Sequence, residues 1–158
     1  MISTAFVLED DLNLATILVR NLLEVFEEVH HFTYLHDLQA YRASVAECPA
    51  LVWADLKLPG STVPEVFGEL REVRGCCPDA IIVVMTGMPD SSVRQQAKEA
   101  GADEVVTKPI QMSVLDMVRL IFVGAINAMQ RGSSSSQRVL GSICSMVIRC
   151  MHTHLHAP

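Results

Sequence analysis

The sequence predicts an α/β protein with a doubly wound, five-stranded parallel sheet in the strand order 2-1-3-4-5 and a C-terminal helical extension. Short apolar runs alternate along the chain with longer amphipathic segments, five of each. The strongest apolar runs lack the alternation expected of a strand with one solvated face, so we expect them to be buried on both faces. Such strands, joined by helical crossovers, are typical of a parallel sheet covered by helices on both sides.

The first half of the chain predicts three strands and two helices. The segments "TAFVLE" at 4–9 and "ALVWAD" at 50–55 are predicted as buried strands, and "HHFTYL" at 30–35 as a weaker one. Between them, residues 11–29 predict a long helix with one apolar face, and residues 37–47 predict a second helix. The apolar face consists of Leu14, Ile17, Leu18, Leu22 and Val25.

The second half predicts two strands and three helices. The segment "AIIVVMT" at 80–86 is rich in β-branched residues and predicts the most hydrophobic strand, and 104–109 predicts a short last strand. Helices are predicted at 63–73, 91–102 and 113–131. Thr62 is placed to cap the first of these helices.

The 158 residues fit one domain, predicted at 1–131, and a tail at 132–158. The tail opens with the Ser-rich linker "GSSSSQ" and continues as a short segment that we expect to be helical or disordered. All 18 acidic residues but only 9 of the 12 basic ones lie before residue 121. The acidic domain argues against direct, nonspecific nucleic-acid binding.

The sequence also predicts a cytoplasmic protein. No signal peptide is visible at its start, and its longest uncharged C-terminal runs are shorter than the ~18–20 apolar residues of a membrane span. The five cysteines, at positions 48, 76, 77, 144 and 150, form no C-x-x-C pair. We therefore expect reduced, buried thiols.

Polar side chains follow four of the predicted strands. The acids Glu9, Asp10 and Asp11 end the first strand. The other strand ends carry Asp55, Thr86 and Lys108. Because ligands of such sheets bind beyond the carboxyl ends of the strands, we expect these side chains to share one shallow pocket. Clustered carboxylates favour a hard cation such as Mg2+, and a hydroxyl and an ammonium group suit phosphoryl oxygens. Asp55 is left as the nucleophile.

The segments "FVLEDD", "VWADLKLPG", "IIVVMTG" and "VVTKP", in this order, resemble the receiver domain of two-component response regulators, as in single-domain chemotaxis regulators. The resemblance covers about residues 3–125 and implies a flavodoxin-like fold. It further implies that a histidine kinase or histidine phosphotransfer protein donates a phosphoryl group with Mg2+ present. No independent turnover of another substrate is expected.

The resemblance assigns roles to individual positions. It implies that Asp55 is the phosphoacceptor and Asp10 a direct Mg2+ ligand, with Glu9 or Asp11 as the second acid. The backbone carbonyl of Lys57 completes the metal ligands. Thr86 corresponds to the switch hydroxyl and Lys108 to the ammonium group that pairs with the phosphoryl oxygens, and the bond from Lys108 to Pro109 is expected to be cis.

Two positions depart from the family pattern. Val105 stands where many receivers carry a tyrosine or phenylalanine whose movement links phosphorylation to the output surface. The switch then acts through the loop after strand four or a dimer surface, or else valine is a neutral variant. Lys57 and Met88 stand where a side chain can position a hydrolytic water, and neither is an acid or amide. We expect slow hydrolysis of phospho-Asp55.

Other interpretations lead to different partners. A homodimer through helix 4, strand 5, helix 5 or the tail is one use of the surface. A non-phosphorylated adaptor that keeps only the receiver fold is the alternative function, although the full set of site residues argues against it. A flavodoxin-type cofactor binder is disfavoured, because acids after the first strand repel a ligand phosphate.

Overall fold

The computed structural model describes residues 4–87 and 90–110, which form five strands and four helices. The elements are β1 (Thr4–Leu8), α1 (Leu12–Leu22), β2 (Glu28–Phe32), α2 (Leu35–Ser44), β3 (Leu51–Asp55), α3 (Val63–Cys76), β4 (Ile81–Thr86), α4 (Ser91–Glu99) and β5 (Glu104–Thr107). The sheet order is β2-β1-β3-β4-β5 with every neighbouring pair parallel, which confirms the predicted doubly wound parallel sheet and its strand order.

The strands are aligned so that their carboxyl ends meet along one edge of the sheet. Asp55, the last residue of β3, pairs with Met85 of β4, and Thr86 pairs with Thr107 of β5. All five residues of β1 and of β3 are buried, as expected for strands covered on both faces. The register therefore brings the polar residues that end each strand to the same edge.

One cluster of buried side chains packs α2, α3 and α4 against the sheet. The helical members include Leu38, Phe67, Leu70 and Ala97. Helix α3 begins as predicted: the Thr62 hydroxyl accepts from the Glu65 N–H, and the Glu65 carboxylate accepts from the Thr62 N–H. This reciprocal capping box satisfies two N–H groups that have no partner within the helix.

The first helix is shorter than the apolar periodicity predicted. It ends at Leu22 rather than at residue 29, and the chain turns, with the Phe26 N–H donating to the Leu22 carbonyl at 2.8 Å. Glu28 then pairs with Thr4, so β2 begins two residues before the predicted start. Val25, the last residue of the predicted apolar face, lies in the turn after the helix and so extended the helical pattern beyond its end.

The predicted state of the thiols was wrong for two cysteines. Cys48, before β3, and Cys77, after α3, form a disulfide with Cα atoms 5.4 Å apart. Cys76 is a free thiol and is exposed rather than buried. The two bonded residues are 29 positions apart, and they meet because β3 and β4 begin side by side in the sheet.

The described residues all belong to one compact unit. The predicted helix at 113–131 and the tail at 132–158 lie outside the described residues. Within 4–87 and 90–110, no helix has the length and hydrophobicity needed to cross a membrane.

Candidate functional site

Four side chains from four strand ends meet at the carboxyl edge of the sheet. Glu9 follows β1, Asp55 ends β3, Thr86 ends β4 and Lys108 follows β5. Glu9, Asp55 and Thr86 are buried. All four side chains reach this edge for the same reason. Each strand runs in register to the edge of the sheet, and the polar residue stands at or just after its last residue.

Lys108 joins these strand ends. Its Nζ lies 2.7 Å from Glu9 Oε2 and 2.7 Å from Asp55 Oδ2. Its backbone N–H donates to the Thr86 carbonyl at 2.8 Å, and its bond to Pro109 is cis. Burial acts to lower the pKa of Lys108, but the hydrogen bonds to Asp55 and Glu9 outweigh it and the pKa is raised. Lys108 is therefore a cation held between two carboxylates.

The structure distinguishes the three acids after β1. Burial raises the pKa of Glu9, although its hydrogen bonds to Lys108 and to the Asp11 N–H act in the opposite direction. The Asp11 carboxylate instead caps α1, accepting from the N–H groups of Asn13 and Leu14. Glu9 thus lies inside the site, and Asp11 serves the helix.

Glu9, Asp10 and Asp55 form the acidic cluster. One carboxylate oxygen from each lies within 4.8 Å of the others. Asp10 is exposed, which leaves the cluster open to solvent on one side. Three carboxylates with an open side fit a hard divalent cation such as Mg2+, which prefers oxygen ligands and retains several waters. Asp55 Oδ1 also accepts from the Lys57 N–H at 3.2 Å. This bond restrains the turn that carries the Lys57 carbonyl, the metal ligand that the resemblance to receiver domains implies.

The two predicted switch positions lie in the sheet. Thr86 is 1% exposed, and Val105 is 2% exposed within the main core cluster. Arg94 of α4 lies beside β5 and donates to the Val105 carbonyl at 3.1 Å and to the Thr107 hydroxyl at 2.7 Å. Met88 lies outside the described residues.

Two contacts near the site were missed by sequence reasoning. His31 of β2, to which sequence analysis assigned no role, has its Nε2 2.8 Å from the Glu9 carbonyl oxygen. The Arg94 contacts with β5 were also unforeseen. Both are bonds between a side chain and another element, so no sequence spacing signals them.

Comparison with known proteins identifies the family of this fold. The family model described as the response regulator receiver domain matches residues 6–118. The transcriptional regulatory protein KdpE of Mycobacterium tuberculosis is 40% identical over 73 residues, covering 46% of this chain. The chain spans only 30% of the length of that curated relative.

Solved structures share the fold at lower identity. The BeF3-activated receiver domain of DrrB has a TM-score of 0.67 and 23% identity, covering 78% of this chain and 99% of that one. DrrB is a Thermotoga maritima protein. The chemotaxis response regulator CheY4 of Vibrio cholerae has a TM-score of 0.64 and 16% identity, covering 77% and 99%. A Burkholderia pseudomallei response regulator has a TM-score of 0.60 and 18% identity, covering 99% and 75%. The chain belongs to the response regulator receiver domain family.

Proposed function

We propose that the chain accepts a phosphoryl group on Asp55 from a histidine kinase or a histidine phosphotransfer protein, and that phosphorylation changes its binding to a partner or to a second copy. The observation that carries this proposal is the surroundings of Asp55. Its buried carboxylate lies against the Lys108 ammonium group, within a cluster that also contains Glu9 and Asp10. A lone buried carboxylate is unfavourable, so such an arrangement favours a functional site.

In the proposed step, a carboxylate oxygen of Asp55 forms a bond to phosphorus. The bond from phosphorus to the histidine nitrogen of the donor breaks, and its electron pair returns to the imidazole ring. Lys108 already binds Asp55, so its ammonium group is in place to bind an oxygen of the transferred phosphoryl group. The buried Thr86 hydroxyl ends the neighbouring strand and is assigned as the second donor.

Glu9, Asp10, Asp55 and the Lys57 carbonyl would hold Mg2+. When bound, Mg2+ supplies positive charge that offsets the charge spread over the phosphoryl oxygens. The solved Burkholderia pseudomallei relative carries a phosphorylated aspartic acid and a calcium ion, which supports the assignment of an acid and a divalent cation.

The test is phosphorylation by a small acyl phosphate with and without Mg2+, followed by intact mass and peptide mapping. We expect one added phosphoryl group, on Asp55, that requires Mg2+ and is lost in Asp55→Asn. Asp79→Asn, at an exposed aspartate after α3, is the matched control and should be phosphorylated normally. Modification at another residue, or none with Mg2+ present, would contradict the proposal.

Trp53 distinguishes phosphorylation from the adaptor function. It is the only tryptophan in the chain, is fully buried, and lies two residues before Asp55. A change in its emission on adding Mg2+ and then a phosphodonor supports the phosphorylated receiver. No response to either addition would favour the non-phosphorylated adaptor.

The proposal includes a cytoplasmic location. The state of Cys48 and Cys77 in cells tests it, because disulfides are rare in the cytosol. Alkylating free thiols in intact cells before lysis shows whether Cys48 and Cys77 are reduced there. Reduced thiols support the cytoplasmic location, and an intact disulfide argues against it.

A further inference from the structure

Glu9 is held on every side by hydrogen bonds. Its backbone N–H donates to the Phe32 carbonyl at 3.1 Å. Its carboxylate accepts from the Asp11 N–H at 3.0 Å and from Lys108 Nζ at 2.7 Å. Its own carbonyl oxygen lies 2.8 Å from His31 Nε2. Because Glu9 is fully buried, these bonds fix both its side chain and its main chain.

The His31 side chain supplies a hydrogen bond to the Glu9 carbonyl, where the backbone hydrogen bonds between β1 and β2 have ended. Strand β2 ends at Phe32, whose carbonyl is used by the Glu9 N–H. The chain then enters α2, with Tyr34 as its N-cap. A carbonyl oxygen can only accept, so His31 Nε2 must carry the proton and donate it. His31 of β2 therefore completes the hydrogen bonding of Glu9, the residue that follows β1.

This bond acts on the peptide group between Glu9 and Asp10. The Glu9 carbonyl and the Asp10 N–H belong to one plane, so fixing the carbonyl limits the directions in which Asp10 can project. Asp10 is exposed, and within residues 4–87 and 90–110 no hydrogen bond restrains its carboxylate. Its place in the acidic cluster depends on the backbone more than that of Glu9 or Asp55 does.

We propose that His31 is a positioning residue for the cation site: by donating to the Glu9 carbonyl, it holds the Glu9–Asp10 peptide in the orientation that keeps the Asp10 carboxylate in the cluster. This inference rests on the proposed function for the identity of the cation. His31 touches neither the cation nor the phosphoryl group. It is half-buried and lines a groove with Leu12 and Thr16 of α1.

The test compares two replacements of His31. Glutamine places its amide nitrogen at the same number of bonds from Cβ as Nε2, so His31→Gln retains the donor. His31→Leu removes it. Mg2+ is titrated while Trp53 emission is followed, and phosphorylation rates are then measured at saturating Mg2+. His36→Leu, at an exposed histidine, is the control.

We expect the Kd for Mg2+ to rise about tenfold in His31→Leu and to stay within about threefold of wild type in His31→Gln, since residues behind metal ligands commonly change affinity by this order. The phosphorylation rate at saturating Mg2+ should change far less than the Kd. A structural defect would instead raise the Kd and lower the phosphorylation rate together. Should the leucine variant not fold, His31→Asn, whose shorter amide cannot reach the Glu9 carbonyl, takes its place.

A second readout needs no metal. Loss of the His31 bond frees the Glu9–Asp10 peptide, which precedes the Asp11 amide, and that amide donates to the Glu9 carboxylate. Hydrogen exchange at Asp11 should therefore be faster in the metal-free leucine variant but not in the glutamine variant. Unchanged exchange and an unchanged Kd in His31→Leu would overturn the role of His31. A wild-type protein that binds no Mg2+ would contradict the proposed function instead, while the exchange measurement still tests the His31 contact.

Discussion

The ammonium group of Lys108 lies 2.7 Å from Asp55 Oδ2, although the two residues are 53 positions apart in the chain. The same ammonium group contacts Glu9 at 2.7 Å, so one cation serves two buried carboxylates. Two such acids in a low-dielectric site repel each other when both are ionised. Lys108 therefore stabilises the fold as well as taking part in the proposed chemistry.

Replacing Lys108 should destabilise the protein in a way that Mg2+ can offset. In Lys108→Met, we expect the free energy of unfolding to fall by roughly 2–3 kcal/mol, below the value for a fully buried pair because Lys108 is 24% exposed. Added Mg2+ should stabilise the variant more than it stabilises wild type, because its charge replaces that of Lys108. It should therefore recover part of the lost stability. Urea unfolding with and without Mg2+ measures both effects. Lys57→Met, at the exposed lysine two residues after Asp55, should show neither the loss of stability nor the larger effect of Mg2+.

The lifetime of phospho-Asp55 should depend on the residue at position 88. Lys57 and Met88 offer no acid or amide to orient a water, so we expect Met88→Glu to speed hydrolysis by roughly tenfold through a positioned base. The decay of the phosphorylated form after removal of the phosphodonor gives the rate. Equal decay in wild type and variant would show that position 88 does not set the lifetime.

Gly101 should tolerate no side chain. Its φ of +97° is unfavourable for other residues, and a Cβ there would lie 3.0 Å from Cβ and Cγ of Arg74. We expect Gly101→Ala to lower the free energy of unfolding by about 1–3 kcal/mol. Gly68, inside α3, has open space within 4 Å of the point where a Cβ would lie, so Gly68→Ala should raise stability by roughly 0.5–1 kcal/mol. Urea unfolding of the two variants should therefore give shifts of opposite sign.

The disulfide should be found in the purified protein. Non-reducing peptide mapping after alkylation should recover Cys48 joined to Cys77, with Cys76 alkylated. Because the bond closes a loop of 29 residues, reduction should lower the free energy of unfolding by about 3–4 kcal/mol. Cys48→Ser should show no further loss on reduction. Alkylation of both Cys48 and Cys77 in the native, unreduced protein would contradict the assignment.

The capping box of α3 should make stability depend on pH. The Thr62 N–H and hydroxyl hold the pKa of Glu65 below its ordinary value of 4.5. A carboxyl whose pKa is lowered in the folded state stabilises the fold above its unfolded pKa, and that contribution is lost as the pH falls through the folded pKa. The stability difference between wild type and Glu65→Gln should thus narrow as the pH falls below 4.5. Thermal unfolding across this range measures it, with Glu72→Gln as the control for loss of an exposed charge on the same helix.

Sequence reasoning predicted the sheet and its order because the signals are local: each strand is a short apolar run, and a polar residue follows it. Asp55 and Lys108 could be placed together for this reason. The choice between Glu9 and Asp11 could not be made, because it depends on which acid caps α1.

Long-range contacts explain two of the remaining errors. The Cys48–Cys77 bond and the His31 contact join separate elements, and they depend on strand register and loop paths that no residue pattern records. The error at the end of α1 has a local cause, because Val25 continues the apolar spacing of the helix although it lies in the turn after Leu22.

Strand β3 runs from the crosslinked end of the sheet to the acidic cluster. It starts three residues after Cys48 and ends at Asp55, and its four steps of about 3.3 Å put roughly 13 Å between its first residue and the acidic cluster. The crosslink and the acidic cluster therefore lie at opposite ends of the same buried strand. For protein engineering, the crosslinked end is the part of β3 where stability can be altered at the greatest distance along the strand from Asp55.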